Sequence, residues 1–182
     1  MSSIRIIDES EFVTSEWSGG TTTQLYIDEG GSYAERRFRV RISTATVDIE
    51  ESVFTRLEGV RRFLTPLCAG FELTVNNADM KLARGEVLEF LGEDDVTCRG
   101  SGRDLNLMLK DAEGRMFIAD GNVDVSGYEY AFVFAPEELF IEDADSGEGT
   151  KLAVFSFARL RGGKYILSRP AVLFVANVTL DI

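Results

Sequence analysis

Hydrophobic and polar residues alternate with a period of two along most of this chain, which is the pattern of β-strands with one buried face. In 38-FRVRISTATV-47, for example, Phe38, Val40 and Ile42 share one face, while arginines and Ser43 occupy the other. No stretch keeps the apolar i, i+3, i+4, i+7 spacing of an amphipathic helix for three turns. The pattern therefore predicts an all-β chain with little helix.

Eight segments have strand character, and turn-forming Gly, Asn and Asp residues separate them. The segments are residues 22–27, 38–47, 71–75, 87–91, 104–110, 129–135, 151–160 and 171–180. Only 135-APEELF-140 predicts a helical turn, because Pro136 suits the first position of a helix. Many short strands joined by such turns are typical of a β-sandwich or barrel.

An internal boundary is expected near 111-DAEGRM-116, directly after the strand that begins at Asp104. No linker of low complexity separates the two sides of this boundary. The sequence therefore predicts that residues 1–182 form a single compact unit of two halves, approximately 1–110 and 111–182.

Charge and composition restrict the possible partners and chemistry. The chain has 19 basic and 31 acidic residues and a net charge of −12, which argues against nucleic acid or an anionic membrane as partner. It has no histidine, which excludes Ser-His and Cys-His nucleophiles and His-ligated metal sites. Cys68 and Cys98 lack metal-binding spacing, and neither a signal peptide nor a membrane-spanning stretch is evident. We expect a soluble, cytoplasmic protein with reduced thiols.

Seven arginines lie between residues 36 and 62, and their planar guanidinium groups suit the binding of carboxylates. They are Arg36, Arg37, Arg39, Arg41, Arg56, Arg61 and Arg62. Arg36, Arg37 and Arg56 are expected to form surface ion pairs with nearby glutamates. For Arg41 and Arg62, a surface ion pair and a ligand site both remain open.

Two further segments could contribute polar groups to a pocket. Asp104 and Asn106 share one face of a strand whose other face is all Leu, so they face either a barrel interior or water. In 17-WSGGTTTQLYI-27, the chain's single Trp precedes two glycines that permit a tight turn. Trp17 could form a wall of a pocket or close one end of a barrel. Two acidic loops, residues 120–131 and 143–149, lack the Gly and Glu of an EF-hand calcium loop.

Four segments together resemble the ordered motifs of the HutD/Ves family. They are 17-WSGGTTT-23, 38-FRVRISTATV-47, 54-FTRLEGVRRFL-64 and 103-RDLNLM-108. The resemblance covers about residues 12–110 and implies a cupin-like double jelly roll with two barrel-like halves, a bicupin arrangement. It also implies an association with histidine utilisation or stress response. Members of the family are not established enzymes.

The resemblance singles out seven residues as candidate ligand-binding positions: Trp17, Thr23, Arg41, Ser43, Arg62, Asp104 and Asn106. Many family members read W-x-N-G-G-G where this chain has Trp17-Ser18-Gly19-Gly20-Thr21, so a contact from that Asn is lost. Cupins usually hold a metal with histidines, and this chain has none. We therefore expect a pocket without metal or cofactor.

Three functions are compatible with these observations. The leading hypothesis is a metal-free, cupin-like binding protein in which Arg41 and Arg62 receive a small anionic carboxylate metabolite, with a regulatory role in histidine utilisation. Asp104 and Asn106 would then bind its amide or amine. The alternatives are a protein-interaction or structural module, and a cupin-type isomerase or hydrolase that uses Asp104. A homodimer is compatible with all three.

Overall fold

A computed structural model describes residues 3–179 of the chain. Within this range the chain forms one 3₁₀ turn, Glu9–Glu11, and seventeen β-strands. The strands are β1 (Ile4–Ile7), β2 (Val13–Trp17), β3 (Gly20–Ile27), β4 (Val40–Val47), β5 (Glu51–Val53), β6 (Arg61–Pro66), β7 (Phe71–Val75), β8 (Ala78–Leu82), β9 (Leu88–Leu91), β10 (Val96–Arg99), β11 (Gly102–Leu109), β12 (Ala112–Asp124), β13 (Tyr130–Phe134), β14 (Leu139–Asp143), β15 (Gly149–Leu152), β16 (Phe157–Leu160) and β17 (Lys164–Val178). The predicted all-β class with little helix is confirmed.

The chain divides into two compact units. The first unit is Phe12–Ala112, and the second unit combines the segment that ends at Glu11 with the chain from Glu113 onward. The predicted halves placed residues 1–11 with the first half. The structure places residues 3–11 in the second unit, because β1 pairs with β16. A period-two pattern identifies a strand but not its partner, and the single compact unit stays a prediction.

The first unit contains two antiparallel sheets. The larger has the strand order β2-β3-β4-β11-β6-β9, and the smaller has the order β5-β10-β7-β8. Apolar side chains from strands of both sheets form one core cluster, which includes Leu64, Phe71, Leu73 and Val96. In β7, the apolar residues Phe71 and Leu73 are buried and Glu72 is exposed, as their alternation predicted.

The second unit is built on one sheet of seven strands. Its path is β1-β16-β13-β17-β14-β15, and β12 also pairs with β17. Its core includes Val133, Ile141, Tyr165 and Leu173, all nearly inaccessible to solvent.

Three local predictions were wrong. Residues 135–140 do not form a helical turn, because Leu139 begins β14 and is buried in the core of the second unit. The predicted strand 151–160 is two strands, β15 and β16, separated by a turn in which Phe155 has a φ of 64°. The expected acidic loop at residues 120–131 begins within β12, which extends to Asp124 and in which Gly121 has a φ of 69°.

Within residues 3–179, the structure contains no helix long and apolar enough to cross a membrane.

Candidate functional site

Three neighbouring strands of the first unit, β4, β11 and β6, present polar side chains on one face. Met108 of β11 is paired with Arg41 of β4 on one side and with Arg62 of β6 on the other. Because neighbouring strands lie about 4.8 Å apart, the Cα atoms of the two arginines are separated by about 10 Å. The register therefore brings both predicted arginines to the same face and the same row of the sheet.

The same face continues along β11 with the two other predicted polar groups. Asn106 is paired with Ser43, and Asp104 is paired with Ala45. The leucines between them, Leu105 and Leu107, are buried on the opposite face. The structure thus resolves the alternative that alternation left open, because Asp104 and Asn106 face the protein interior rather than water.

These side chains line a cavity of about 270 Å³ within the first unit. Strand β5 and the residues after it, including Ser52 and Phe54, contribute to the lining. Tyr33, from the segment between β3 and β4, and Trp17, at the end of β2, also line it. A cavity of this volume suits a small metabolite.

Arg41 is held in the cavity by neutral partners. Its Nε donates a hydrogen bond to Gln24 Oε1 at 2.9 Å, and its Nη1 donates to Ser43 Oγ at 3.3 Å. Its Cζ lies 3.9 Å from the centroid of the Tyr33 ring, a cation–π contact. Burial lowers the pKa of Arg41 from its ordinary value.

Arg62 lies between aromatic rings on the other side of Met108. Its Cζ is 5.0 Å from the centroids of both Phe54 and Phe90, and its Nη1 donates to the Thr55 carbonyl oxygen at 3.3 Å. Burial lowers the pKa of Arg62 to about 10, so the guanidinium is charged at neutral pH.

Neither Arg41 nor Arg62 forms an ion pair within the described residues, and this distinguishes them from several exposed arginines. Arg37 pairs with Glu35 at 2.7 Å, as the sequence suggested. Arg56 pairs with Asp95 rather than with a nearby glutamate. The two buried guanidinium groups therefore carry positive charges that the surrounding side chains do not neutralise by direct contact.

Asp104 is the carboxylate among the residues that line the cavity, and it is 4 % exposed. Burial raises the pKa of Asp104 to about 7, although the Ala45 backbone N–H and the charge of Arg62 both favour the ionised form. Its carboxyl group therefore exchanges a proton near neutral pH.

Four buried polar atoms that belong to residues lining this cavity have no hydrogen-bond partner among the described residues. They are Ser52 Oγ, Arg62 Nε, Asp104 Oδ1 and Asn106 Oδ1. A buried polar atom without a partner costs about 1–3 kcal/mol, so a bound ligand or water that reached these atoms would stabilise the folded protein.

Trp17 lies in the lining of the cavity, which answers the alternative that the sequence left open. The two glycines after it are required by close contacts. A Cβ atom at Gly19 would overlap the Trp17 ring, and one at Gly20, which has a φ of 151°, would overlap the Thr46 carbonyl oxygen. The glycine pair thus allows the chain to turn from β2 into β3 beneath the indole.

Six of the seven predicted site residues line the cavity, and Thr23 does not. Its hydroxyl lies 2.9 Å from the Thr14 hydroxyl on the other face of β3, and Thr22 lines the cavity instead. Since successive residues of a strand point to opposite faces, an error of one position moves a side chain out of the site.

The sequence did not identify the aromatic residues that support the arginines. Phe54 is the first residue of the motif 54-FTRLEGVRRFL-64, which also contains Arg62. Its presence in that motif was a signal that could have identified it. Tyr33 lies between β3 and β4 in a segment without periodic pattern, and no local signal marks it.

The lining does not fit a metal ion. Two guanidinium groups repel a cation, and no group of three or more Cys, Asp or Glu side chains within residues 3–179 is placed to hold one. The metal chemistry that many cupins use therefore has no donor set in this cavity.

Comparison with known proteins assigns the chain to a family and a fold. The sequence profile of the HutD family matches residues 9–168. A search of curated protein sequences finds no match. Among solved structures, the conserved protein of unknown function PA5104 from Pseudomonas aeruginosa PAO1 is 23 % identical, with a TM-score of 0.79 over 97 % of this chain and 98 % of that chain.

Two further structures support the same fold. HutD from Pseudomonas fluorescens SBW25, in a formate condition, is 24 % identical, with a TM-score of 0.80 over 96 % of this chain and 98 % of that chain. A cupin 2 conserved barrel domain protein from Leptotrichia buccalis is 12 % identical, with a TM-score of 0.57 over 91 % of this chain and 92 % of that chain. The fold is therefore a cupin-like jelly roll, as predicted.

Proposed function

The chain belongs to the HutD family, and from that premise we propose that its cavity binds a small carboxylate metabolite between Arg41 and Arg62. One observation carries the proposal: two buried guanidinium groups face one cavity, and neither has an ion pair among the described residues. A buried charge without a counter-charge is costly, and a bound anion removes that cost. Guanidinium groups are also the side chains best suited to hold a carboxylate through paired hydrogen bonds.

The remaining polar atoms of the cavity favour a ligand that also carries an N–H group. Asp104 Oδ1 and Asn106 Oδ1 are buried acceptors without a partner, and an amide or amine nitrogen would satisfy them. We propose a glutamate-like compound, acylated or formiminated on nitrogen, since the family is associated with histidine utilisation. The protein would then have a regulatory role in that process, in the cytoplasm, where free thiols such as those of Cys68 and Cys98 persist.

A second candidate function is catalysis by Asp104. Burial raises the pKa of this carboxyl to about 7, which is the range in which a general acid or base works best at neutral pH. An isomerase or hydrolase would use Asp104 in this way. Formation of a product from a bound carboxylate separates this function from binding alone.

The test is calorimetric titration of the protein with glutarate, N-acetylglutamate and butyrate. The acid that binds most tightly is then titrated into the variants described next. Arg41→Ala and Arg62→Ala should each weaken binding by about ten- to a hundredfold, because a charge-assisted hydrogen bond contributes about 1.5–3 kcal/mol. Arg56→Ala is the matched control, since Arg56 lies in the same unit but is exposed and paired with Asp95. Its affinity should equal that of the parent.

Two results would contradict the proposal. If folded Arg41→Ala and Arg62→Ala variants bind as tightly as the parent, the anion does not lie between these residues. If no carboxylate binds the parent at millimolar concentration, the cavity is not a carboxylate site, and a protein-interaction role becomes the better hypothesis.

A further inference from the structure

The cavity contains more positively charged side chains than negatively charged ones. Arg41 and Arg62 contribute two positive charges, and Asp104 contributes at most one negative charge. A bound monocarboxylate therefore brings the buried charges to balance while Asp104 is ionised. A dicarboxylate brings one negative charge too many, and an uncompensated charge beside the buried Arg41, Arg62 and Asp104 is costly.

Asp104 is the group in the cavity that can remove this excess charge. Its Oδ1 is buried without a hydrogen-bond partner, so protonation of this carboxyl group at Oδ1 breaks no existing hydrogen bond. The neighbouring Asn106 is neutral and cannot take up the role.

Asp104 is surrounded by groups from several strands, and its carboxyl group is the one expected to gain or lose a proton between pH 6 and 8. Arg41 from β4, Arg62 from β6, Tyr33 from the segment before β4, and Asn106 on β11 itself line the same cavity as Asp104. Two further groups act on or respond to its carboxyl group: the Ala45 backbone N–H of β4 and the Cys98 thiol of β10. The pKa of Arg62 remains about 10, and burial together with the charge of Asp104 raises the pKa of the Cys98 thiol to about 12. Both groups therefore keep their protons throughout this range.

We infer that a dicarboxylate binds to this cavity together with one proton, which is taken up by Asp104, whereas a monocarboxylate binds without one. This inference rests on the proposed function, because it concerns the same site. The step is an acid–base exchange: Asp104 Oδ1 gains a proton from solvent, its charge changes from −1 to 0, and the sum of ligand, Asp104 and two arginines becomes zero. The binding of dicarboxylates that carry no compensating cationic group therefore weakens as the solution becomes more alkaline.

The expected size of the effect follows from the titration of Asp104 in the unliganded protein, whose pKa is about 7. If only the protonated form accepts a dianion, the dissociation constant for glutarate should rise about tenfold between pH 6 and pH 8. At pH 8, about 0.9 protons should be taken up for each glutarate bound. At pH 7 and pH 8 both carboxyl groups of glutarate are ionised, so the proton taken up there does not come from a change in the free ligand.

The experiment is calorimetric titration of the full chain with glutarate and with butyrate at pH 6, 7 and 8. Each titration is repeated in two buffers that carry no carboxylate or phosphate and differ in ionisation enthalpy, because the difference in measured heat gives the number of protons taken up. Asp104→Asn, which has the shape of the protonated acid, is titrated in the same way. The single Trp, Trp17, reports by fluorescence that the variant is folded.

Three outcomes are distinguishable. Proton uptake with glutarate but not with butyrate, together with pH-independent glutarate binding to Asp104→Asn, supports the inference. Glutarate binding to the parent at pH 8 without proton uptake overturns it and leaves the proposed carboxylate site intact, and this measurement needs no variant. If neither acid binds the parent at any pH, the proposed function itself fails, and the inference fails with it.

Discussion

Arg62→Met should stabilise the unliganded protein while it removes carboxylate binding. Met fills a similar volume to the Arg stem but carries no charge, so the substitution removes a buried guanidinium without leaving a large cavity. The prediction follows from the environment of Arg62, which is 6 % exposed and has no ion pair among the described residues. Residues selected for binding often reduce stability in this way.

The magnitude follows from the contacts of Arg62. Burial lowers its pKa from 12.5 to about 10, which corresponds to a cost of about 3 kcal/mol for keeping the charged form in the folded protein. The substitution also loses cation–π contacts with Phe54 and Phe90, worth about 1–2 kcal/mol together, and the long hydrogen bond to the Thr55 carbonyl oxygen, worth about 0.5 kcal/mol. The expected net change is an increase of about 0.5–1.5 kcal/mol in the free energy of unfolding.

Urea unfolding monitored by Trp17 fluorescence measures this change, because the single Trp lies in the same unit as Arg62. With a slope of about 2 kcal/mol per molar urea, the midpoint should rise by about 0.3–0.7 M. Arg56→Met is the matched control: its side chain is exposed and its ion pair with Asp95 is solvated, so its midpoint should stay that of the parent.

A fall in the urea midpoint of Arg62→Met would refute the reasoning, since it would mean that Arg62 stabilises the fold and is a structural residue. An unchanged affinity for carboxylate in the same variant would refute the assignment of Arg62 to the site. The two measurements are independent, so each part of the prediction can fail alone.

Three further predictions follow from the same structure. Because the pKa of Asp104 is raised to about 7 and an unfolded Asp titrates near 4, the parent should lose stability as the pH rises from 4 to 7. Asp104→Asn should therefore be more stable than the parent in urea by roughly 4 kcal/mol at pH 8, and by little at pH 4; an equal gain at both values would contradict this. Gly20→Ala should lower the urea midpoint by the equivalent of at least about 2 kcal/mol, because its Cβ would overlap the Thr46 carbonyl oxygen; a parent-like midpoint would show that the turn relaxes. Elemental analysis of the purified protein should find no stoichiometric zinc, iron or nickel, and one tightly held equivalent would contradict the predicted absence of a metal site.

The sequence by itself determined the class of the fold, and it predicted the chemistry of the site. Alternation within 38–47 and 104–109 predicted strands with the correct faces, since an apolar face must be buried whichever strand lies beside it. The absence of histidine and the grouping of arginines predicted a site for anions rather than for metals. These properties follow from residue type and spacing within one strand, so they need no knowledge of the partners.

Only the tertiary structure decided which polar face lines a cavity and which residues complete it. Strand pairing places Arg41 and Arg62 on either side of Met108, and no local pattern contains that register. The same pairing excludes Thr23, whose predicted role required knowledge of which face of β3 meets the cavity. Tyr33 stacks on Arg41 from a segment without periodicity. The physical reason is that contacts across strands join residues far apart in the chain, whereas alternation records only whether a residue is buried.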